Sequence, residues 1–469
     1  MHPVYGVTQA ELDELYPRLF DERKSLLDAS ARYLSATADQ PETACDADLA
    51  FAAFYAVPRV QLEDYAKIRE ESVMGRIFKV ANTQMDWIDA VVVLGTGDEL
   101  IGPRAMMNAC CDPFHNELKR GPRGSKPRMY FAGDNFDNDY AQALISRIAD
   151  GGYDDTLPEQ RWALVPISKS GNTLEPAVAL RPFLGALQKN LEATSPDQLK
   201  RLTVPITGPQ GRLRELANTL GCEEVFAIPG DLPTCFSIFS PVGLLPAAML
   251  SLDIMKLLEG AIAMNEHFEQ SSPDKNVVLQ YVAINHLLSH KHGRRRRILS
   301  TWCDALETVG FWYDHLTRSV FGRSPDIPRS RTVVNPRAMH LRDGLGRGRD
   351  GMFVADQTFN HLVVEQDRTD PLWVGPCEHN ADQLNELAQS NLTSILASGI
   401  DCVDNALRAA HQPTTRIIMP TIDTFVLGQL FQMLMIATTI ESRLLGLGAT
   451  VRSKPGYCNF DTQQLSGRT

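Results

Sequence analysis

Ser168-Lys169-Ser170-Gly171-Asn172-Thr173 gathers three hydroxyls, an amine and a glycine in six consecutive positions. An apolar run at 163–167 precedes it and a helical pattern at 177–189 follows, so the loop joins a strand to a helix N-terminus. Such a loop offers backbone N–H groups, short hydroxyl donors and the positive end of a helix dipole to one small volume. That is what a phosphate monoester needs. The same residues also suit an ordinary strand–helix turn whose hydroxyls cap the helix. A second glycine turn, Gly95-Thr96-Gly97-Asp98-Glu99, follows an apolar run at 90–94. Its outline is that of a dinucleotide loop, but Asp98 and Glu99 put carboxylates where a pyrophosphate would meet the backbone, which argues against NAD.

Three histidine-bearing stretches carry chemistry on paper. His315 and Ser319 lie four apart on one helical pattern, so both can face one pocket, where an imidazole titrating near neutrality would serve as a base. A Ser–His hydrolase pair lacks an orienting acid and an oxyanion loop, and a plain polar helix face accounts for the spacing equally well. His286 and His290 share the same spacing, with His292 beyond, but a metal site needs a further ligand that the sequence does not identify, so no metal is assigned. The run Lys291-His292-Gly293-Arg294-Arg295-Arg296-Arg297 directly precedes a strand and reads as a solvated charge run rather than a nucleic-acid patch.

The elements that must position these residues follow from apolar periodicity. Short apolar runs at 90–94, 128–132, 163–167, 203–206 and 225–228 are separated by stretches long enough for helices, the pattern of βαβ units and a mainly parallel sheet. A long apolar stretch covers 242–263, after which strand-like runs recur at 298–301, 352–355, 362–364 and 417–419. Residues 9–37 read as an exposed amphipathic arm, and 321–350, rich in Arg, Pro and Gly, as irregular. The apolar stretch 425–447 is long enough to cross a membrane. It carries Gln429, Gln432, Glu441 and Arg443, each costly in a bilayer, so a buried core helix is expected.

Composition narrows the partners. The chain has 469 residues, 43% hydrophobic and 22% charged, which excludes a disordered or fibrous protein. A net charge of −11 argues against broad binding to nucleic acid or to anionic membranes and leaves a small preorganised anion site. Nine scattered cysteines without a Cys-x-x-Cys pair, and an N-terminus without a signal-peptide pattern, fit reduced thiols in a cytoplasmic protein.

Several motifs carry a family resemblance. The 168–173 loop resembles the phosphate loop of sugar isomerase (SIS) domains. Phe236-Ser237-Ile238-Phe239-Ser240-Pro241-Val242-Gly243-Leu244-Leu245-Pro246-Ala247-Ala248 resembles a signature of glucose-6-phosphate isomerases. Phe311-Trp312-Tyr313 running into Gly322-Arg323, and Lys454-Pro455-Gly456, match in the same order. The resemblance implies an α/β chain with two doubly wound, mainly parallel-sheet SIS-type domains and an N-terminal helical arm. Residues 1–60 would form the arm, 61–245 the first domain with the phosphate loop, 246–461 the second, and 462–469 a tail. It also implies a homodimer and interconversion of glucose 6-phosphate and fructose 6-phosphate without cofactor or metal. A carboxylate base would shuttle a proton through an enediol while cations stabilise the enediolate.

Carried over residue by residue, the phosphate loop is intact at Ser168, Lys169, Ser170 and Thr173, with Glu175 following as the family pattern has it. Gly97 and Lys454 fall in the expected pocket. The catalytic positions depart. Glu99 stands where relatives place a phosphate-touching serine, Cys235 where they have an arginine, Ser319 at the position of the base with His315 replacing a glutamine, and Asp461 at the position of a lysine. The ring-opening histidine has no clear counterpart near Met339-His340-Leu341. The expectation is a binder of a sugar phosphate or other small anion whose isomerase activity is lost or strongly reduced. The alternative is an active isomerase with a rearranged site.

Overall fold

A computed structural model describes residues 6–39, 47–85, 87–149, 161–191, 196–229, 232–322, 328–334 and 356–447. Two four-stranded parallel sheets organise the chain. In the first, β1 (Ala90–Leu94), β2 (Arg128–Ala132), β3 (Trp162–Ser168) and β4 (Ile206–Thr207) lie in the order β2-β1-β3-β4. In the second, β5 (Arg296–Thr301), β6 (Arg329–Val334), β7 (Gln357–Val364) and β8 (Thr414–Met419) repeat it as β6-β5-β7-β8. The two halves thus share one strand order. Every residue of β1 and β3 is buried, as strands covered by helices on both faces must be.

In each sheet the chain steps from the first strand to one neighbour, then crosses back to the other side. The crevice between the first and third strands is therefore a switch point, the place where α/β sheets hold ligands at the carboxyl ends of their strands. In the first sheet β1 runs into α4 (Asp98–Cys110) and β3 into α6 (Leu174–Leu191), so both glycine-bearing loops open on that crevice. Helix α3 (Val73–Met85) precedes β1, α5 (Asn138–Ala149) follows β2, and α7 (Leu199–Leu202) and α8 (Arg212–Leu220) flank β4. The long apolar stretch divides into α9 (Pro241–Met249), capped by Ser240 with proline in its first turn, and α10 (Ile254–Gln270), capped by Asp253.

Several expectations are corrected. Helix α1 (Gln9–Asp39) is half-buried rather than an exposed arm: Leu15, Leu19, Leu26 and Ala29 enter the main core. The division expected at 60 falls inside α2 (Ala47–Ile68), and the one at 245 falls inside α9. The stretch read as irregular contains β6, an outer strand whose Arg, Ser and Thr residues mask its pairing with β5. The run at 225–228 supplies a single bridge, at Phe226, and the run at 352–355 lies outside the described residues. The basic stretch is only partly solvated. Lys291 pairs with Glu14, His292 meets Glu11, and Arg297 is buried against Glu441. His286 and His290 stack ring on ring, and burial pushes the His286 imidazole down to about 4.

The apolar C-terminal stretch forms the last described helices' central member. After α11 (Val277–His290), α12 (Glu307–Phe321) and α13 (Leu392–Ala409) comes α14 (Thr424–Leu444), nearly all of it buried. It crosses α10 at Gly428, where an added Cβ would lie 2.0 Å from the Leu257 carbonyl oxygen, so the two backbones touch. Its Glu441 accepts two hydrogen bonds from the Arg297 guanidinium on β5, at 2.7 and 2.8 Å. Gln432 donates to Asn265 at 2.6 Å and Arg443 to Ser25 at 2.7 Å, so three of the polar groups that argued against a membrane span find partners inside the protein.

Candidate anion site at the first switch point

The site is assembled from three loops and one helix. Ser168 ends β3 and is 2% exposed, with its hydroxyl 3.0 Å from that of Thr173. Between them the chain turns through Gly171, at φ +67, where a Cβ would come within 2.6 Å of the Gln210 carbonyl oxygen. Only glycine allows that approach of the loop after β4. The turn is braced from the same side, because Asn172 accepts from the Arg212 backbone N–H at 3.1 Å and the Arg212 guanidinium donates to the Asn172 carbonyl at 2.7 Å. Asn172 also donates its own N–H to the Ser170 hydroxyl at 3.1 Å. Ser170 is exposed at the tip, and Glu175 sits half-buried in the first turn of α6.

Facing this loop across the switch point is the turn after β1. Gly97 has φ +39 and donates its N–H to Asp134 at 2.7 Å. Glu99 turns its carboxyl onto the two loops themselves. One oxygen accepts from the N–H and hydroxyl of Thr96 at 3.0 and 3.3 Å, and the other accepts from the backbone N–H of Lys169 at 3.3 Å. The carboxyl thereby bridges the two loops while only 5% exposed. Burial pushes it up to about 7, against the opposing pull of those hydrogen bonds. The Lys169 amine donates to the Leu232 carbonyl at 2.8 Å, which fixes the side chain alongside the 3₁₀ turn Thr234–Phe239.

Cys235, in that turn, is buried, and burial together with the charge of Asp98 pushes its thiol well up, so it remains a neutral thiol. Helix α12 packs on α4 and completes the wall. Its Ser319 hydroxyl donates to Asp98 at 3.4 Å, and the His315 Nδ1 lies 3.5 Å from the other Asp98 oxygen. The four-residue spacing of His315 and Ser319 therefore does place both on one carboxylate. Glu99, Lys169 and Cys235 gather behind Asp98, whereas Lys454 and Asp461 lie outside the described residues, as does His340.

Sequence reasoning missed the role of Asp98. It read as a repeller of pyrophosphate, yet it orients an imidazole and a hydroxyl from a helix more than 200 residues away. Asp134 on the Gly97 N–H and the Asn172–Arg212 brace were missed too. Asn172 was visible inside the motif, but its partner depends on where β4 pairs.

The arrangement can hold an anion: backbone donors, hydroxyls and a helix N-terminus meet on one side, and an acid–imidazole pair lies on the other. Searched against known families, the chain matches no family model. Among curated proteins, the glucose-6-phosphate isomerase of Alkaliphilus metalliredigens is 26% identical over 389 residues, covering 82% of this chain and 81% of that one. The glucose-6-phosphate isomerase of Parabacteroides distasonis is 28% identical over 397 residues, covering 80% of each. Two solved structures share the fold. A hypothetical protein from Thermus thermophilus does so with a TM-score of 0.70 at 23% identity, over 92% of this chain and 91% of that one. A glucose-6-phosphate isomerase from Chlamydia trachomatis has a TM-score of 0.65 at 15% identity, over 98% and 86%.

Proposed function

We propose, from the premise that the chain belongs to the glucose-6-phosphate isomerase family, that it binds a sugar phosphate through Ser168, Ser170 and Thr173 while its isomerase activity is lost or strongly reduced. One observation carries the second half. At the position where the family's base would stand, α12 presents the hydroxyl of Ser319, which donates to Asp98 and has no pKa near neutrality. Loss of a general base typically costs about 10²–10⁴ in rate. Cys235, a neutral buried thiol, supplies no charge to an enediolate, which removes a second contribution of similar kind.

A coupled assay reads the outcome. Conversion of fructose 6-phosphate to glucose 6-phosphate, followed by NADP reduction, is expected to proceed well below about 1 s⁻¹, the low end for ordinary enzymes. Turnover above that value overturns the reading. Binding is tested separately: millimolar fructose 6-phosphate or 6-phosphogluconate raises the unfolding temperature. The resemblance also brings a homodimer and a cytoplasmic location, which sedimentation and cell fractionation check.

The contact between His315 and Asp98 favours a second reading, an isomerase with a rearranged site. A carboxylate beside Nδ1 orients the imidazole and leaves the other nitrogen to move a proton between C1 and C2. Under this reading His315→Ala lowers whatever turnover exists by about 10²-fold or more. Unchanged turnover in that variant removes histidine from the chemistry.

A further inference from the structure

We propose that Glu99 sets the charge of the ligand this site accepts: its carboxylate acts as a built-in anion on the two loops, so a dianion is taken up only together with a proton on Glu99. The inference rests on the anion-binding reading above. It begins with geometry. Ligand anions at a switch point use the backbone N–H groups of the loops after neighbouring strands. In this chain the Lys169 N–H of the phosphate loop and the Thr96 N–H of the facing loop both donate to the Glu99 carboxyl, at 3.3 and 3.0 Å. The carboxyl is 5% exposed, so water screens it little from an anion seated on the Ser168–Thr173 loop. Two like charges in one such volume cannot both persist, and the cheaper outcome is protonation of the one whose acidity burial has already weakened.

The charged and titratable groups around Glu99 come from every element of the site. Asp98 of α4 adds negative charge, and the Lys169 ammonium lies on the facing loop. Cys235 of the 3₁₀ turn stays neutral, and His315 of α12 reaches the site through Asp98. His315 is the competing source of any pH dependence, because its own protonation would also favour an anion. The test must therefore separate a carboxyl from an imidazole.

Inorganic sulfate is the probe, since it stays a dianion across the range, and fructose 6-phosphate is run beside it. With Glu99 titrating near 7, binding of sulfate to the unmodified protein is expected to be about tenfold tighter at about pH 6 than at about pH 8. Calorimetry in buffers of different ionisation enthalpy reads the accompanying proton uptake. In Glu99→Gln, and in Glu99→Ser as a smaller replacement, affinity becomes nearly independent of pH and exceeds that of the unmodified protein at pH 8. If the pH dependence survives both substitutions, His315 carries it and the proposal fails. If affinity at pH 8 falls in both variants, the carboxyl is helping rather than competing, and the proposal also fails. Absence of binding by all three proteins at every pH, for sulfate and for fructose 6-phosphate alike, overturns the sugar-phosphate reading and this inference with it. Binding without a Glu99 effect overturns the inference alone.

Discussion

Ser168→Asp is expected to abolish the rise in unfolding temperature predicted with fructose 6-phosphate, and to weaken binding by more than about 100-fold. Ser168 closes β3 almost without exposure, its hydroxyl against Thr173 at the start of α6. A carboxylate there stands within a few ångströms of any phosphate on the loop. At about 4 Å and an effective dielectric near 20, each pair of like unit charges costs about 4 kcal/mol, enough to exceed the stated loss even after partial protonation. Ser168→Ala is the companion: it removes one neutral hydrogen bond and is expected to cost about 1 kcal/mol, or roughly fivefold in affinity. Thermal unfolding without ligand checks that both variants fold. Equal binding by Ser168→Asp and the unmodified protein would place the anion elsewhere and sink the proposed function.

The second large effect concerns stability. Glu441→Ala leaves the Arg297 guanidinium, 4% exposed, without the carboxylate that accepts both of its hydrogen bonds from α14. Removing one partner of a buried pair costs about 3–5 kcal/mol, because the remaining charge stays desolvated. A fall of roughly 3–5 °C in unfolding temperature is expected by calorimetry for a chain of this length. Arg297→Met combined with Glu441→Leu recovers most of the loss, since two apolar residues of similar volume need no hydrogen bonds. A loss in the single variant within about 1 kcal/mol, the range of an exposed pair, would show that the pair is not sealed from water.

What the sequence disclosed, and what it hid, divides by distance along the chain. Strand β1 coincides with its apolar run because a strand covered on both faces is continuous in sequence. β6 escaped because it is an outer strand of alternating Arg, Ser and Thr, and only its pairing with β5 reveals it. The strand–loop–helix setting of Ser168–Thr173 was legible since its donors are consecutive residues. The inward turn of Glu99 was not, because the N–H it takes belongs to Lys169, brought near only when β3 crosses back beside β1. Likewise His315 and Ser319 announced a shared face through their spacing, but that the face meets Asp98 is decided by the packing of α12 on α4. The solvated reading of the basic stretch failed at Arg297 for the same reason: its partner lies on α14.

The backbone crossing at Gly428 has a consequence for how the protein is made. Leu257, which α14 covers there, is synthesised 167 residues before Thr424 opens that helix. At ordinary translation speed the interval is roughly 10–30 s, during which the apolar side of α10 has no native cover. The nascent first half therefore emerges with an apolar face that only the end of the chain can close.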